Sequence, residues 1–156
     1  MFGAFCAGCH GPDGQGRRAP GMAAFPAIAN PDFIGLAPEA LIRETIRKGR
    51  PGRKMPAWDR AGGLTSDEIG RIAAYLRELG GASAAVDNKP ARWVSPDKTA
   101  GRNLYAASCS GCHGMNGEGG EGPALNNPVL LANATDTYFV ETISRGRRGT
   151  FMPAFA

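Results

Sequence analysis

Apolar side chains recur at helical spacing in several stretches of the chain, and nowhere do they alternate as a strand would require. Ile69, Ile72, Ala73, Leu76 and Leu79 fall on one face of a helix. Thr65-Ser66-Asp67-Glu68 opens that helix as a capping box, and Gly80-Gly81 closes it. A shorter helix is predicted with Pro38 at its first position, Leu41, Ile42 and Ile46 inside it, and Arg47, Lys48 and Gly49 as its stop. A third runs from about Asp136 to Arg145 and ends at Gly146; a fourth starts near Gly101 and leads into Cys109. The pattern predicts an all-α protein. No apolar run approaches the ~20 residues of a membrane-spanning helix.

The same pattern occurs twice. Shifted by 103 positions, Cys6, Cys9, His10, Gly11, Gly14, Gly16 and Pro20 land on Cys109, Cys112, His113, Gly114, Gly117, Gly119 and Pro123. Shifted by 97, residues 41–58 land on residues 138–155, so the second copy is six residues shorter between the two blocks. We therefore expect two tandem domains, 1–80 and 99–156, joined by a linker over 81–98 that has no helical or alternating pattern. Trp93 reads as an apolar pin for that linker. The first copy has five residues before Cys6, and the second has four after Met152. The repeat thus leads us to expect a missing leading helix in domain 1 and a missing closing helix in domain 2. On that reading the chain is a piece of a longer protein, Met1 is an internal residue, and Ile69, Ile72, Leu76 and Leu79 lie uncovered unless Gly101–Ser108 folds onto them.

Composition sharpens this. Twenty-three glycines and 12 prolines against 42% hydrophobic residues make a turn-rich chain with little apolar bulk for two cores. Domains below roughly 80 residues usually need a disulfide, metal or cofactor. The four cysteines stand in Cys6-Ala7-Gly8-Cys9-His10 and Cys109-Ser110-Gly111-Cys112-His113. Cys-x-x-Cys-His is the attachment signature of c-type haem. Two thiols three positions apart reach the two vinyl groups of one porphyrin, and the following imidazole rises to the iron from the same side. A zinc site would want its second pair about 15–20 residues away, and a redox dithiol would sit in a strand–helix context that is absent here. Neither explains the repeated histidine. His10 and His113 are the expected proximal ligands, one for each of two covalent haems.

The sixth ligands must come from further along. Met1 and Met115 lie too near a proximal motif to cross the ring, and Met22 has no counterpart in the second copy. Met55 and Met152 stand in identical Met-Pro-Ala contexts, 45 and 39 residues beyond their histidines. Met/His ligation gives a higher reduction potential than bis-His, and both histidines of the chain are already used. Of the basic residues before each methionine, Arg47, Lys48, Arg53, Lys54, Arg145 and Arg148 read as a solvated surface. Arg50 and Arg147 share one repeat position and are candidate partners of haem propionates.

The Cys-x-x-Cys-His-Gly motifs, the Gly-rich stretches after them and Gly-Arg-x-Gly-x-x-Met-Pro-Ala resemble class I (mitochondrial-type) cytochrome c domains in tandem. The resemblance covers nearly the whole chain except the linker. It implies a small helical cradle around each haem with one edge exposed, and a place in a bacterial respiratory chain at the periplasmic or outer face of the cytoplasmic membrane. Tandem domains of this kind resemble the dihaem subunits of terminal oxidases and of periplasmic dehydrogenases. The reading is therefore an electron carrier with redox-protein partners and no bond-making residue; any membrane anchor would lie outside this stretch. Its rivals are a dihaem peroxidase-like enzyme, which needs an open iron, and the cytochrome module of a larger oxidoreductase. The net charge of +4 is not a nucleic-acid signal once four propionates are counted; it supports steering toward an acidic redox partner.

Overall fold

In a computed structural model the chain is described over residues 1–18, 24–59, 62–82 and 97–156; Pro20, Met22, Trp93 and most of the expected linker fall outside these ranges. The first copy forms α1 (Phe2–Phe5), α2 (Ala7–His10), α3 (Pro31–Ile34), α4 (Glu39–Lys48) and α5 (Ser66–Leu79). The second forms α6 (Lys98–Ser108), α7 (Ser110–His113), α8 (Pro128–Asn133) and α9 (Asp136–Arg145). Among the described residues the β-type pairing is one isolated antiparallel bridge, Arg17 to Phe25. The chain is all-α.

Local chemistry sets the helix ends. Glu68 N–H donates to Thr65 Oγ1 at 3.3 Å while Thr65 N–H donates to Glu68 Oε2 at 2.8 Å, so two orphan amides of α5 are satisfied reciprocally. Pro38 takes the cap position of α4, one residue before the expected start, because its extended ψ of 148° precedes the first helical turn. Asn30 and Asn127, each followed by proline, cap α3 and α8 with their side-chain oxygens.

The expectation that α5 would lie uncovered is overturned. Ile69, Ile72, Ala73 and Leu76 are buried, packed with Leu41, Ile42 and Ile46 of α4 and with Phe2. The short α1 suffices: Phe2 inserts into the cluster and meets Tyr75 ring to ring at 5.4 Å. The other expected cover, Gly101–Ser108, lies in α6, which buries none of its residues. In the second unit the face equivalent to that under α5 is open to solvent. Ile143 is 45% exposed where its repeat counterpart Ile46 is 6% exposed.

The two units pack on each other about a pseudo-two-fold relation. α8 lies on α4, and α3 lies on α9; α3 and α8 are repeat counterparts, as are α4 and α9. Leu130 and Tyr138 of the second unit join the core cluster of the first. One charge is buried in that core. Arg77 donates to Ile34 O at 2.9 Å, Ala37 O at 3.0 Å and Glu39 Oε2 at 3.1 Å, tying α5 to the α3–α4 turn.

Replacing Arg77 by Met keeps the stem but leaves two buried carbonyls and one carboxylate without their donor. The expected cost is about 2–4 kcal/mol, read as a lower urea midpoint with unchanged slope; an unshifted midpoint would show that the grip contributes nothing.

Candidate haem sites

Each Cys-x-x-Cys-His segment is a break between two short helices, built twice with the same backbone. Cys6 and Cys109 sit at the break with φ of −118° and ψ of −38° and −33°. The next turn ends at Gly11 and Gly114, both at φ 82°. None of the four cysteines is in a disulfide; Cys9 and Cys112 are exposed and Cys6 and Cys109 half-buried. Burial holds the Cys6 thiol above its ordinary pKa, the opposite of the depressed thiolate that a redox dithiol uses.

His10 and His113 are buried. His10 Nδ1 meets Pro26 O at 3.0 Å and His113 Nδ1 meets Pro123 O at 2.8 Å. A carbonyl can only accept, so Nδ1 carries the proton in both rings and Nε2 keeps its lone pair. Among the described residues Nε2 has no hydrogen-bonding partner. That is the tautomer an iron ligand requires. Burial lowers the His10 pKa, against the pull of the Pro26 carbonyl, and favours the neutral ring.

These bonds correct the repeat alignment. Pro26, not Pro20, holds the place of Pro123. Gly16 N–H donates to His10 O and Gly119 N–H to His113 O, still at the offset of 103, whereas Pro26 and Pro123 differ by 97. The six extra residues of the first unit therefore lie within 17–25.

The methionine loops are also built alike. Gly49 and Gly146 end α4 and α9 at φ 64° and 65°. A Cβ on Gly146 would stand 2.5 Å from Pro153 C and 2.7 Å from Met152 O; on Gly49 it would strike the Met55–Pro56 backbone the same way. The absence of that carbon lets the loop fold back over the last helical turn. Arg50 N–H donates to Met55 O at 2.8 Å and Arg147 N–H to Met152 O at 2.9 Å. Trp58 N–H then returns to Ile46 O and Phe155 N–H to Ile143 O, each at 3.1 Å. Met55 and Met152 are both half-buried.

Arg50 and Arg147 sit at the junction of the units. Arg50 Nη1 donates to Ala124 O of the second unit at 3.4 Å. Arg147 Nη2 donates to the Tyr138 hydroxyl at 2.6 Å and lies 4.9 Å over the Phe33 ring of the first unit. Burial, and the nearby charges of Arg147 and Arg53, lower the Arg50 pKa. Among the described residues neither arginine pairs with a carboxylate. Two half-buried guanidiniums close together without an acid partner suit anionic groups supplied by a cofactor, and haem propionates are such groups. Arg47 and Lys48, by contrast, both pair with Glu44 on the α4 surface and push its pKa down to about 2.

Two residues escaped the sequence reading although a signal existed. Asn30 and Asn127 hold one repeat position, and each reaches across to the other unit's methionine loop. A tetrahedral metal site is a poorer fit, since no three His, Cys, Asp or Glu come together among the described residues.

Two all-α units, each pairing an attachment motif with a methionine loop, define a tandem c-type cytochrome. The profile of the family described as cytochrome c oxidase, cbb3-type, subunit III matches residues 1–76 and 96–156, and the chain belongs to that family. It is 32% identical, over 99% of its length, to the cbb3-type cytochrome c oxidase subunit FixP of Bradyrhizobium diazoefficiens, covering 52% of that protein. It is 31% identical, over 99% of its length, to the CcoP subunit of Azospirillum sp. strain B510, covering 53% of it. The chain thus spans about half the length of these relatives. A solved chain of the Kuenenia stuttgartiensis reducing HAO-like protein complex covers 99% of this chain, and is itself covered to 84%, at 22% identity with a TM-score of 0.44. No helix among the described residues is long and apolar enough to cross a membrane.

Gly49→Ala and Gly52→Ala separate strain from collision. Both positions have positive φ, but only Gly49 lacks space for a Cβ. Gly49→Ala should cost at least about 2 kcal/mol and Gly52→Ala about 1 kcal/mol in thermal melts; equal losses would mean that the close approach to Met55 is unimportant.

Proposed function

We propose that this chain is the dihaem electron-carrying portion of a terminal oxidase complex of the cbb3 type, working at the periplasmic face of the membrane. On this reading residues 1–80 and 99–156 each hold one haem c. Cys6 and Cys9 anchor the first and Cys109 and Cys112 the second; His10 and His113 are the proximal ligands, and Met55 and Met152 the distal ones. The observation that carries the reading is the duplicated imidazole: buried, with Nδ1 committed to a proline carbonyl and Nε2 free, one residue after a Cys-x-x-Cys turn. When bound, each haem supplies a one-electron ferrous–ferric couple.

The chain's own residues then set where that couple lies. The proline carbonyls fix each imidazole and make it a stronger donor. Arg50 and Arg147 place positive charge near both centres, which disfavours the ferric form and raises the potential. On this reading the chain acts as an electron carrier inside an enzyme complex. Donor and acceptor are redox proteins, and the net positive charge favours acidic docking faces.

Exported to the periplasm with a c-type maturation system, the chain should carry two haems that survive acid–acetone extraction. A pyridine haemochrome count of zero, or tightly bound zinc, would refute the proposal. Met55→Ala and Met152→Ala should each remove one share of the far-red sulfur-to-iron band and open one ferrous haem to carbon monoxide. Stoichiometric carbon monoxide binding by the parent protein would instead favour the peroxidase-like class.

A further inference from the structure

The two methionine loops leave equivalent helices, yet among the described residues only the Met152 loop is held by an ion pair with the opposite unit. Asn30 Nδ2 donates to Arg148 O at 2.8 Å, and its repeat partner Asn127 Nδ2 donates to Pro51 O at 3.5 Å. These contacts obey the pseudo-two-fold relation. Beyond them the symmetry stops. Asp32 Oδ1 accepts from Arg148 Nη2 at 2.8 Å and from Nε at 3.1 Å, while Oδ2 accepts the Arg148 backbone N–H at 2.8 Å. At the mirrored positions stand Val129 and Pro51, a side chain without charge and a residue without an N–H. Arg18, in the segment that is six residues longer in the first unit, lies 4.0 Å over the ring of Phe151, the residue before Met152.

We propose that Asp32 and Arg148 form a positioning pair by which the first unit fixes the Met152 loop, keeping the second haem six-coordinate, while among the described residues the Met55 loop has no such inter-unit ion pair. The inference rests on Met152 being the second distal ligand. The Asp32 side chain is only 12% exposed, and Arg148 is 81% exposed. The carboxylate is thus the planted partner, set in the first turn of α3, and the loop comes to it. An exposed ion pair alone contributes little. Here one carboxylate also holds the loop's backbone amide, four residues before the methionine, so it restrains main-chain position as well as charge. The Arg148 hydrogen bonds hold the Asp32 carboxyl below the usual carboxylate range, so the pair is fully charged at neutral pH.

The test uses the dihaem protein in two backgrounds. With Met55→Ala, the sulfur-to-iron band reports the second haem alone; with Met152→Ala, the first. Asp32→Asn and Arg148→Gln should each weaken the band and speed carbon monoxide binding several-fold in the Met55→Ala background. They should also lower the midpoint potential of the second haem. Neither should move the first haem in the Met152→Ala background, and Asp32→Glu should restore part of the loss. Arg148→Gln keeps the proposal testable if Asp32→Asn matures poorly, because it alters only an exposed side chain. Arg43→Gln removes an arginine contact, to Ser66 O at 3.2 Å, that lies outside both loops and should change neither haem. Unchanged second-haem spectra, or equal loss at both haems, would overturn the positioning role. If Met152→Ala itself leaves the second haem unchanged, the ligand assignment falls and the positioning role falls with it.

Discussion

The packing of α8 on α4, with α3 on α9 as its pseudo-symmetric counterpart, is the contact on which the remaining architecture depends. Neither unit has an ample core. The second contributes Leu130 and Tyr138 to a cluster otherwise made by the first, so apolar burial is shared across the junction. The same junction holds Arg50 and Arg147 near each other, at the start of the two methionine loops that leave α4 and α9. Residues presented there, Arg50 and Arg147 above all, belong to both units at once. Arg50 stands close enough to the first unit's His10 to oppose protonation of its ring, while its Nη1 reaches the second unit's Ala124, one residue after the carbonyl that holds His113.

That placement has an electrostatic consequence. Bringing two guanidiniums together in a half-buried junction costs free energy twice, through lost hydration and through mutual repulsion. The Tyr138 hydroxyl and the Ala124 carbonyl supply dipoles only, and the Phe33 ring supplies a weak cation–π contact. Anionic groups on two haems would offset both terms. If Arg50 and Arg147 hold haem propionates as proposed, cofactor binding and docking of the units would favour each other.

Much of this was legible in the sequence, for reasons that differ by element. Helices α4, α5 and α9 follow from local signals: apolar periodicity, the Thr65–Glu68 box, and the stopping glycines. The cysteine, histidine and methionine positions follow from a duplicated spacing that chemistry constrains tightly. The alignment of Pro20 with Pro123 failed because matching prolines by position ignores what their carbonyls do; only the histidine bonds identify Pro26. The covering of α5 was misjudged because four residues are a poor helix in isolation, yet one buried Phe2 is enough to complete the cluster. The junction was invisible for another reason. Asn30 and Asn127 bond to backbone oxygens, which any residue can supply, and Asp32 meets Arg148 across 116 positions.

Duplication explains why two sites share a ligand set; it does not explain a use for two. Identical centres would exchange electrons without preference, and the differences between the units are where preference arises. Three of them lie at the junction: Asp32 against Val129, Arg148 against Pro51, and the extra residues within 17–25 that carry Arg18 to Phe151. The Cys-x-x-Cys-His turns keep the same backbone to within a few degrees, although Arg17, in the longer segment, donates to Gly8 O at 2.7 Å. If Met152 is the distal ligand proposed above, these differences bear on how firmly its sulfur is held, and so on the ferrous–ferric balance of the second haem. A pair of like haems becomes an ordered pair because one unit holds the other's methionine loop more tightly than its own is held in return.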